Sequence, residues 1–218
     1  VSSEFATTIA KDFGIETVNV LTGFKYIAEQ IQHYEDTNEH TFLFGFEESY
    51  GYLVQSFARD KDSVQATVLM AEVAAYYKSL GKTVYDGVQE LFEKYGYFVE
   101  NTKSLTFAGV DGADKIAALM TKFRAKTPAD FGGVSVVKVE DFATQIEIDV
   151  ATHAESALTL PKANVIKYWL ADGSWVAVRP SGTEPKIKFY VGTKGATAQS
   201  ADEELAAIKA TIDTLIAD

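Results

Sequence analysis

The chain has 218 residues, 47% of them hydrophobic and 14 of them Phe, enough to fill real cores and too apolar for a disordered tract. Its formal charge of −11 suits a dispersed, soluble protein and argues against nonspecific nucleic-acid binding. The absence of cysteine excludes a disulfide framework, thiolate catalysis and thiolate metal sites, and it is compatible with the cytosol.

Domains cluster at roughly 100–150 residues, so two modest domains are expected. Val1 stands where an initiator Met would, which points to processing or to a piece cut from something longer. The first residues lack the basic and apolar regions of a signal peptide. No apolar run approaches the roughly 20 residues of a membrane helix, so a cytoplasmic protein without a membrane partner is expected. Ser2 and Ser3 are N-cap candidates for a short helix through Lys11, ended by Gly14. Glu16–Val20 alternates and reads as a strand. Phe24, Ile27 and Ile31 recur at helical spacing, which places Lys25 near a helix start. Thr41–Phe46 is a buried-strand candidate followed abruptly by Glu47-Glu48-Ser49. Helices are predicted from Asp62 to Leu80 and from Thr83 to about Tyr95, so this first section alternates strands and helices as in an α/β layer fold.

The pattern changes near Gly96-Tyr97. A strand over Phe98–Phe107 precedes a helix carrying Ile116, Leu119, Met120 and Phe123 on one stripe. Further strands are predicted at 134–139, 145–150, 165–170, 175–178 and 186–191, with Ala171-Asp172-Gly173 as a hairpin turn. A last helix begins near Ala201. The second section therefore reads as α+β, with two helices available to cover one sheet face.

Two loops carry chemistry. Arg179-Pro180-Ser181-Gly182-Thr183-Glu184-Pro185-Lys186 lies between two predicted strands. Arg179 offers a planar fork of donors matched to phosphate oxygens, Ser181 and Thr183 add hydroxyls, and Gly182 permits close backbone approach. Lys186 and Lys188 project to the same strand face. A nucleotide P-loop is excluded because its spacing is absent. An exposed hairpin rich in turn formers and an anion site both fit these residues. Gly45-Phe46-Glu47-Glu48-Ser49-Tyr50-Gly51 sets carboxylates and a hydroxyl after a hydrophobic strand, which suits either a solvated turn or a reader of sugar hydroxyls.

Residues 179–186 resemble the phosphate-binding loop in the fourth domain of the α-D-phosphohexomutases, the family of phosphoglucomutase and phosphomannomutase. Residues 45–51 resemble the sugar-binding loop of that family's third domain, and Thr22-Gly23-Phe24-Lys25-Tyr26-Ile27 resembles its third-domain lysine segment, both most like the bacterial enzymes. The resemblance covers nearly the whole chain. It implies a truncated three-layer α/β domain over residues 1–97, lacking its opening strand, and a smaller α+β domain over 98–218 with helices on one face of an antiparallel sheet. It implies that Arg179, Ser181, Gly182 and Thr183, with Lys188 as a weaker addition, hold the nonreacting phosphate. Glu47 and Ser49 would contact sugar hydroxyls, and Lys25 would stabilise phosphoryl charge. Arg59-Asp60-Lys61-Asp62 resembles a further family segment and is assigned to loop organisation and helix entry.

The reaction implied is interconversion of glucose 1-phosphate and glucose 6-phosphate through glucose 1,6-bisphosphate, with mannose phosphates as the neighbouring possibility. It requires a phosphorylated serine and Mg²⁺ held by aspartates of another domain. Neither the serine loop nor the metal segment occurs in this sequence, so the missing N-terminal half is the expected partner and the isolated chain is expected to be inactive. A noncatalytic sugar-phosphate-binding module and a structural protein are the alternatives. A freed sheet edge would allow self-association. His33, His40 and His153 form no metal motif.

Overall fold

The computed structural model describes residues 1–182 and 184–217. They divide into two compact units, one formed mainly by Ala6–Tyr95 and one by the residues from Gly96 onward together with Val1 and Ser3–Phe5.

In the first unit the helices are set by their caps. Helix α1 (Glu4–Asp12), which lies in this unit from Ala6 onward, opens at Ser3, whose hydroxyl accepts from the Phe5 N–H. Helix α2 (Phe24–Thr37) follows Gly23 and ends at Asn38, which takes the left-handed conformation at φ 56° and returns its N–H to the Tyr34 carbonyl. Strands β1 (Gly45–Glu47) and β2 (Gly51–Leu53) form an antiparallel hairpin. Helix α3 (Ser63–Ser79) is capped by Asp62, whose carboxylate accepts from the Val64 and Gln65 N–H groups. Gln65 in turn accepts from the Val54 and Gln55 N–H groups and ties α3 to the end of β2. Thr83 and Asp86 cap one another at the start of α4 (Val84–Tyr95). Phe24, Ile31 and Leu53 form the core of this unit, with Ile27, Phe42 and Ala58 against it.

The predicted strand over residues 16–20 is not formed, and the predicted strand at 41–46 is reduced to β1. Alternation alone does not hold a strand. Among the described residues no ladder flanks 16–20, so its backbone has no partner to pair with.

The second unit holds β3 (Tyr97–Thr106), α5 (Gly112–Ala125), β4 (Asp130–Phe131), β5 (Val134–Asp141), β6 (Ile146–Asp149), β7 (Glu155–Ala157), β8 (Ile166–Leu170), β9 (Trp175–Pro180), β10 (Lys186–Gly195) and α6 (Ala198–Ala217). Its strands make one antiparallel sheet in the order β3-β10-β9-β8-β5-β6-β7, with β4 paired to β5 off that path. Alternation puts Val176, Val178, Ile187, Phe189 and Val191 on the face packed by Ile116, Met120 and Phe123 of α5 and by Ile208 and Ile212 of α6. Helices therefore cover one face of an open antiparallel sheet, as the patterning implies. The buried Tyr168 hydroxyl donates to the Phe123 carbonyl at 2.8 Å and fixes α5 against β8. On the opposite sheet face Trp175, Ala177 and Tyr190 form a second buried cluster with Val1 and Trp169 against it.

Candidate substrate-binding loops

The hairpin of the first unit sets its chemistry by register. Glu47 pairs with Gly51, so Glu48, Ser49 and Tyr50 make a three-residue turn. The Glu47 carboxylate is only 10% exposed and accepts from Lys61 Nζ at 2.7 Å. Gly51 leaves that pair room, because a Cβ there would stand 2.7 Å from Glu47 Oε1 and 2.8 Å from Lys61 Cδ and both side chains would have to shift. The hydrogen bond that Lys61 donates to Glu47, and the charge of that carboxylate, raise the Lys61 pKa, so the ammonium is secured. Ser49 is exposed and Glu48 half-buried. Lys61 also borders an open cavity of about 480 Å³ lined by Tyr50, Tyr52, Asp62, Ser63, Thr67 and Met70 among others.

Lys61 is the functional candidate that sequence reasoning assigned elsewhere. It lies 14 residues from Glu47, a separation fixed by no helical or strand period, so only opposite charge hinted at the pairing. Asp62 does serve helix entry, as expected. Lys25 is the second residue of α2, is exposed, and stands 4.7 Å over the Tyr26 ring. Among the described residues no carboxylate pairs with it. The α2 first turn contains no acidic residue, so this ammonium lies at the positive end of the helix dipole without local compensation.

In the second unit Arg179 and Lys188 are direct cross-strand neighbours on β9 and β10, and Ser104 of β3 follows Lys188 in the same row. Their neighbours Val178, Ile187 and Phe189 point into the helix-covered core, so Arg179 and Lys188 share the opposite face, both half-buried. The loop between them closes with the Ser181 N–H donating to the Lys186 carbonyl at 2.8 Å and the Lys186 N–H to the Glu184 carbonyl at 2.7 Å. The Glu184 carboxylate accepts from Lys186 Nζ at 2.9 Å, so Glu184 is spent on Lys186. Among the described residues no carboxylate pairs with Arg179 or Lys188. A Cβ on Gly182 would meet nothing within 4 Å, so packing does not require glycine there and the backbone stands open. Thr183, the remaining expected phosphate ligand, lies outside the described residues.

The structure thus gathers Glu47 and Ser49 with Lys61 in one unit, and Arg179, Ser181, Gly182 and Lys188 in the other. Among the described residues no group of three or more His, Asp or Glu side chains stands close enough to hold a metal ion, so these residues do not form a Mg²⁺ site. Among the described residues no helix is long and apolar enough to cross a membrane.

Comparison with known proteins bears on both units. Residues 1–95 match the family model described as phosphoglucomutase/phosphomannomutase, alpha/beta/alpha domain III, and residues 120–212 match that family's C-terminal domain. A phosphoglucomutase of Staphylococcus epidermidis is 44% identical over 191 residues, 88% of this chain and 34% of that protein. One of Staphylococcus aureus is 41% identical over 194 residues, 89% of this chain and 35% of that protein. The chain therefore spans about a third of the length of the curated relatives it matches. Among solved structures, the open form of the Paramecium exocytosis-sensitive phosphoprotein pp63/parafusin superposes with a TM-score of 0.63 at 18% identity, covering 98% of this chain and 35% of that one, a likeness of fold. With both family models matched in order along one chain, and with residues 45–53 and 179–186 each inside a matched region, the chain belongs to the α-D-phosphohexomutase family and carries its domains III and IV.

Proposed function

We propose that this chain is the hexose- and distal-phosphate-recognising part of a phosphoglucomutase, which interconverts glucose 1-phosphate and glucose 6-phosphate through glucose 1,6-bisphosphate. On this reading residues 1–97 form the sugar-reading domain and residues 98–218 the phosphate-binding one. The observation that carries it is the Arg179–Lys188 row. Like charges directly opposite on a sheet destabilise it, and here they stand without a described counterion in a chain whose net charge is −11. A phosphate dianion resolves that conflict, with the Arg179 fork binding two oxygens and Lys188 acting as a point charge. Ser181 and Thr183 add hydroxyl donors, and the open backbone at Gly182 lets the anion approach.

At the hairpin, Glu47 accepts from sugar hydroxyls while its bond from Lys61 keeps it aimed, and Ser49 donates. Lys25 supplies positive charge toward the transferring phosphoryl group. The sequence contains neither the phosphorylatable serine loop nor the metal segment of the family, so the part assigned to this chain is binding and orientation. One site that holds sugar hydroxyls and another that holds the distal phosphate accept a hexose bisphosphate in either direction, which a mutase requires. Mannose phosphates are the second reading, favoured by the joint phosphoglucomutase/phosphomannomutase family models.

Isothermal titration of the chain with glucose 1,6-bisphosphate, mannose 1-phosphate and unphosphorylated glucose tests this. Arg179→Ala should weaken bisphosphate binding by about 1.5–3 kcal/mol, the value of a hydrogen bond to a charged group. Added salt should weaken it too. Unchanged bisphosphate affinity in the variant, or equal binding of plain glucose, would overturn the phosphate assignment.

A further inference from the structure

Tyr50 closes the hairpin turn in a conformation that tyrosine resists. A three-residue hairpin loop places its third residue in the left-handed region, the position that glycine takes at no steric cost. Tyr50 occupies it at φ 62°. A bulky side chain there is a backbone outlier, and such strain persists only where something outweighs it. Packing does not outweigh it, because Tyr50 is 87% exposed and, among the described residues, its ring meets no other aromatic ring. Tyr52 is different, since Phe44 stacks on it at 6.2 Å. The turn therefore holds a strained, exposed ring close in sequence to Glu47 and Ser49, and among the described residues no other aromatic ring packs on it.

The cavity supplies the missing partner. Its lining mixes the apolar surfaces of Tyr50, Tyr52 and Met70 with polar groups of Lys61, Asp62 and Ser63. A pyranose has the same mixture, with C–H groups on its faces and hydroxyls around its edge. Pockets that bind small polar molecules combine such apolar walls with a few placed polar groups. We propose that Tyr50 is a substrate-contacting specificity residue, whose ring stacks on the C–H face of the hexose while Glu47 and Ser49 hold its hydroxyls. This rests on the sugar-loop reading given above and adds to it the residue that reads the ring itself. The strain at residue 50 is then the means by which the turn presents an aromatic platform at the mouth of the cavity.

Titration of the wild-type chain and of Tyr50→Gly, Tyr50→Phe and Glu47→Gln with glucose 1-phosphate and with inorganic phosphate, alongside thermal melts, tests the proposal. Tyr50→Gly should bind glucose 1-phosphate about tenfold more weakly, the size of one aromatic contact. Its melting midpoint should be no lower than that of the wild type, because glycine relieves the left-handed backbone. Tyr50→Phe should keep wild-type affinity, and inorganic phosphate should bind all of them alike. Wild-type affinity for the sugar in Tyr50→Gly overturns the proposal. A midpoint that falls together with affinity assigns the ring to folding and overturns it too. If Glu47→Gln loses affinity while Tyr50→Gly does not, the sugar-loop reading stands and only the role of Tyr50 falls. If neither variant loses affinity, or the wild type binds no glucose 1-phosphate, both fall.

Discussion

Lys167 sits in β8 with its side chain 13% exposed and its ammonium 3.7 Å from the Trp169 ring centroid and 4.7 Å from that of Trp175. Burial pushes its pKa down to about 8, against the pull of Glu140 and Glu4, and the Lys138 charge adds to the fall. Between about pH 8 and the unfolded value near 10.4, the unfolded chain holds a proton that the folded chain has released, so stability rises with pH across that window. Below it the full cost of burying the ammonium is present, about 3 kcal/mol at about 1.4 kcal/mol per pKa unit. Tyr168 acts the other way at higher pH. Burial raises its pKa, so the folded state keeps a proton that the unfolded state loses above about pH 10. Urea midpoints read by tryptophan fluorescence should therefore climb from pH 8 toward pH 10, and Lys167→Met should flatten the climb and stabilise the protein at pH 7. A variant with the wild-type slope would remove Lys167 as its source. The same residue marks a limit of sequence reading. Lys167 looks like any strand lysine until the register places it between two indoles, just as Lys61 looks like a loop lysine until the hairpin brings Glu47 to it. Arg179 is legible from its guanidinium in a turn-rich loop and Lys188 from strand parity with Lys186, although that they stand opposite one another requires the register of β9 on β10.

At the scale of elements, the helices were the legible part, because each carries its own signals. Asp62 before α3, the Thr83–Asp86 pair before α4 and the stripe of Ile116, Met120 and Phe123 on α5 are local features that the structure retains. Strands depend on partners. Glu155–Ala157 is exposed throughout and has no apolar alternation, so β7 is defined only by its pairing with β6, and β4 only by β5. Residues 16–20 show the converse, alternation without a ladder. The Asp62 cap gives a direct test of the local argument. Its carboxylate satisfies two of the free N–H groups at the start of α3 and also receives the Gln65 amide, whose oxygen holds Val54 and Gln55. Asp62→Ala should cost about 1 kcal/mol, the usual value of an N-cap. Hydrogen exchange should quicken in the first turn of α3 and at residues 54 and 55, while β9 and β10 are unaffected. Uniform quickening across both units would show that the cap is not a local device.

At the scale of the whole chain, the two units are very unequally stocked. Among the described residues, sixteen buried side chains make the main core of the second unit, whereas three, Phe24, Ile31 and Leu53, make the buried cluster of the first. Meanwhile Phe57 is 80% exposed, and α3 shows Val64 at 72%, Val68 at 57% and Tyr76 at 61%. An apolar side chain contributes about 1.5–3 kcal/mol when fully buried, against about 1–2 kcal/mol of backbone entropy for every residue ordered. On that balance the first unit is the weaker by a wide margin, and it is the unit that carries Glu47, Ser49 and Lys61. The two tryptophans, Trp169 and Trp175, both belong to the second unit, whereas α2, α3 and α4 belong to the first. Urea unfolding followed by tryptophan fluorescence therefore reports one unit, and far-ultraviolet circular dichroism reports both. The dichroism should begin to fall at lower urea than the fluorescence, with the early loss helical in character. Coincident transitions by the two probes would mean one cooperative structure and would overturn the inequality read from the cores.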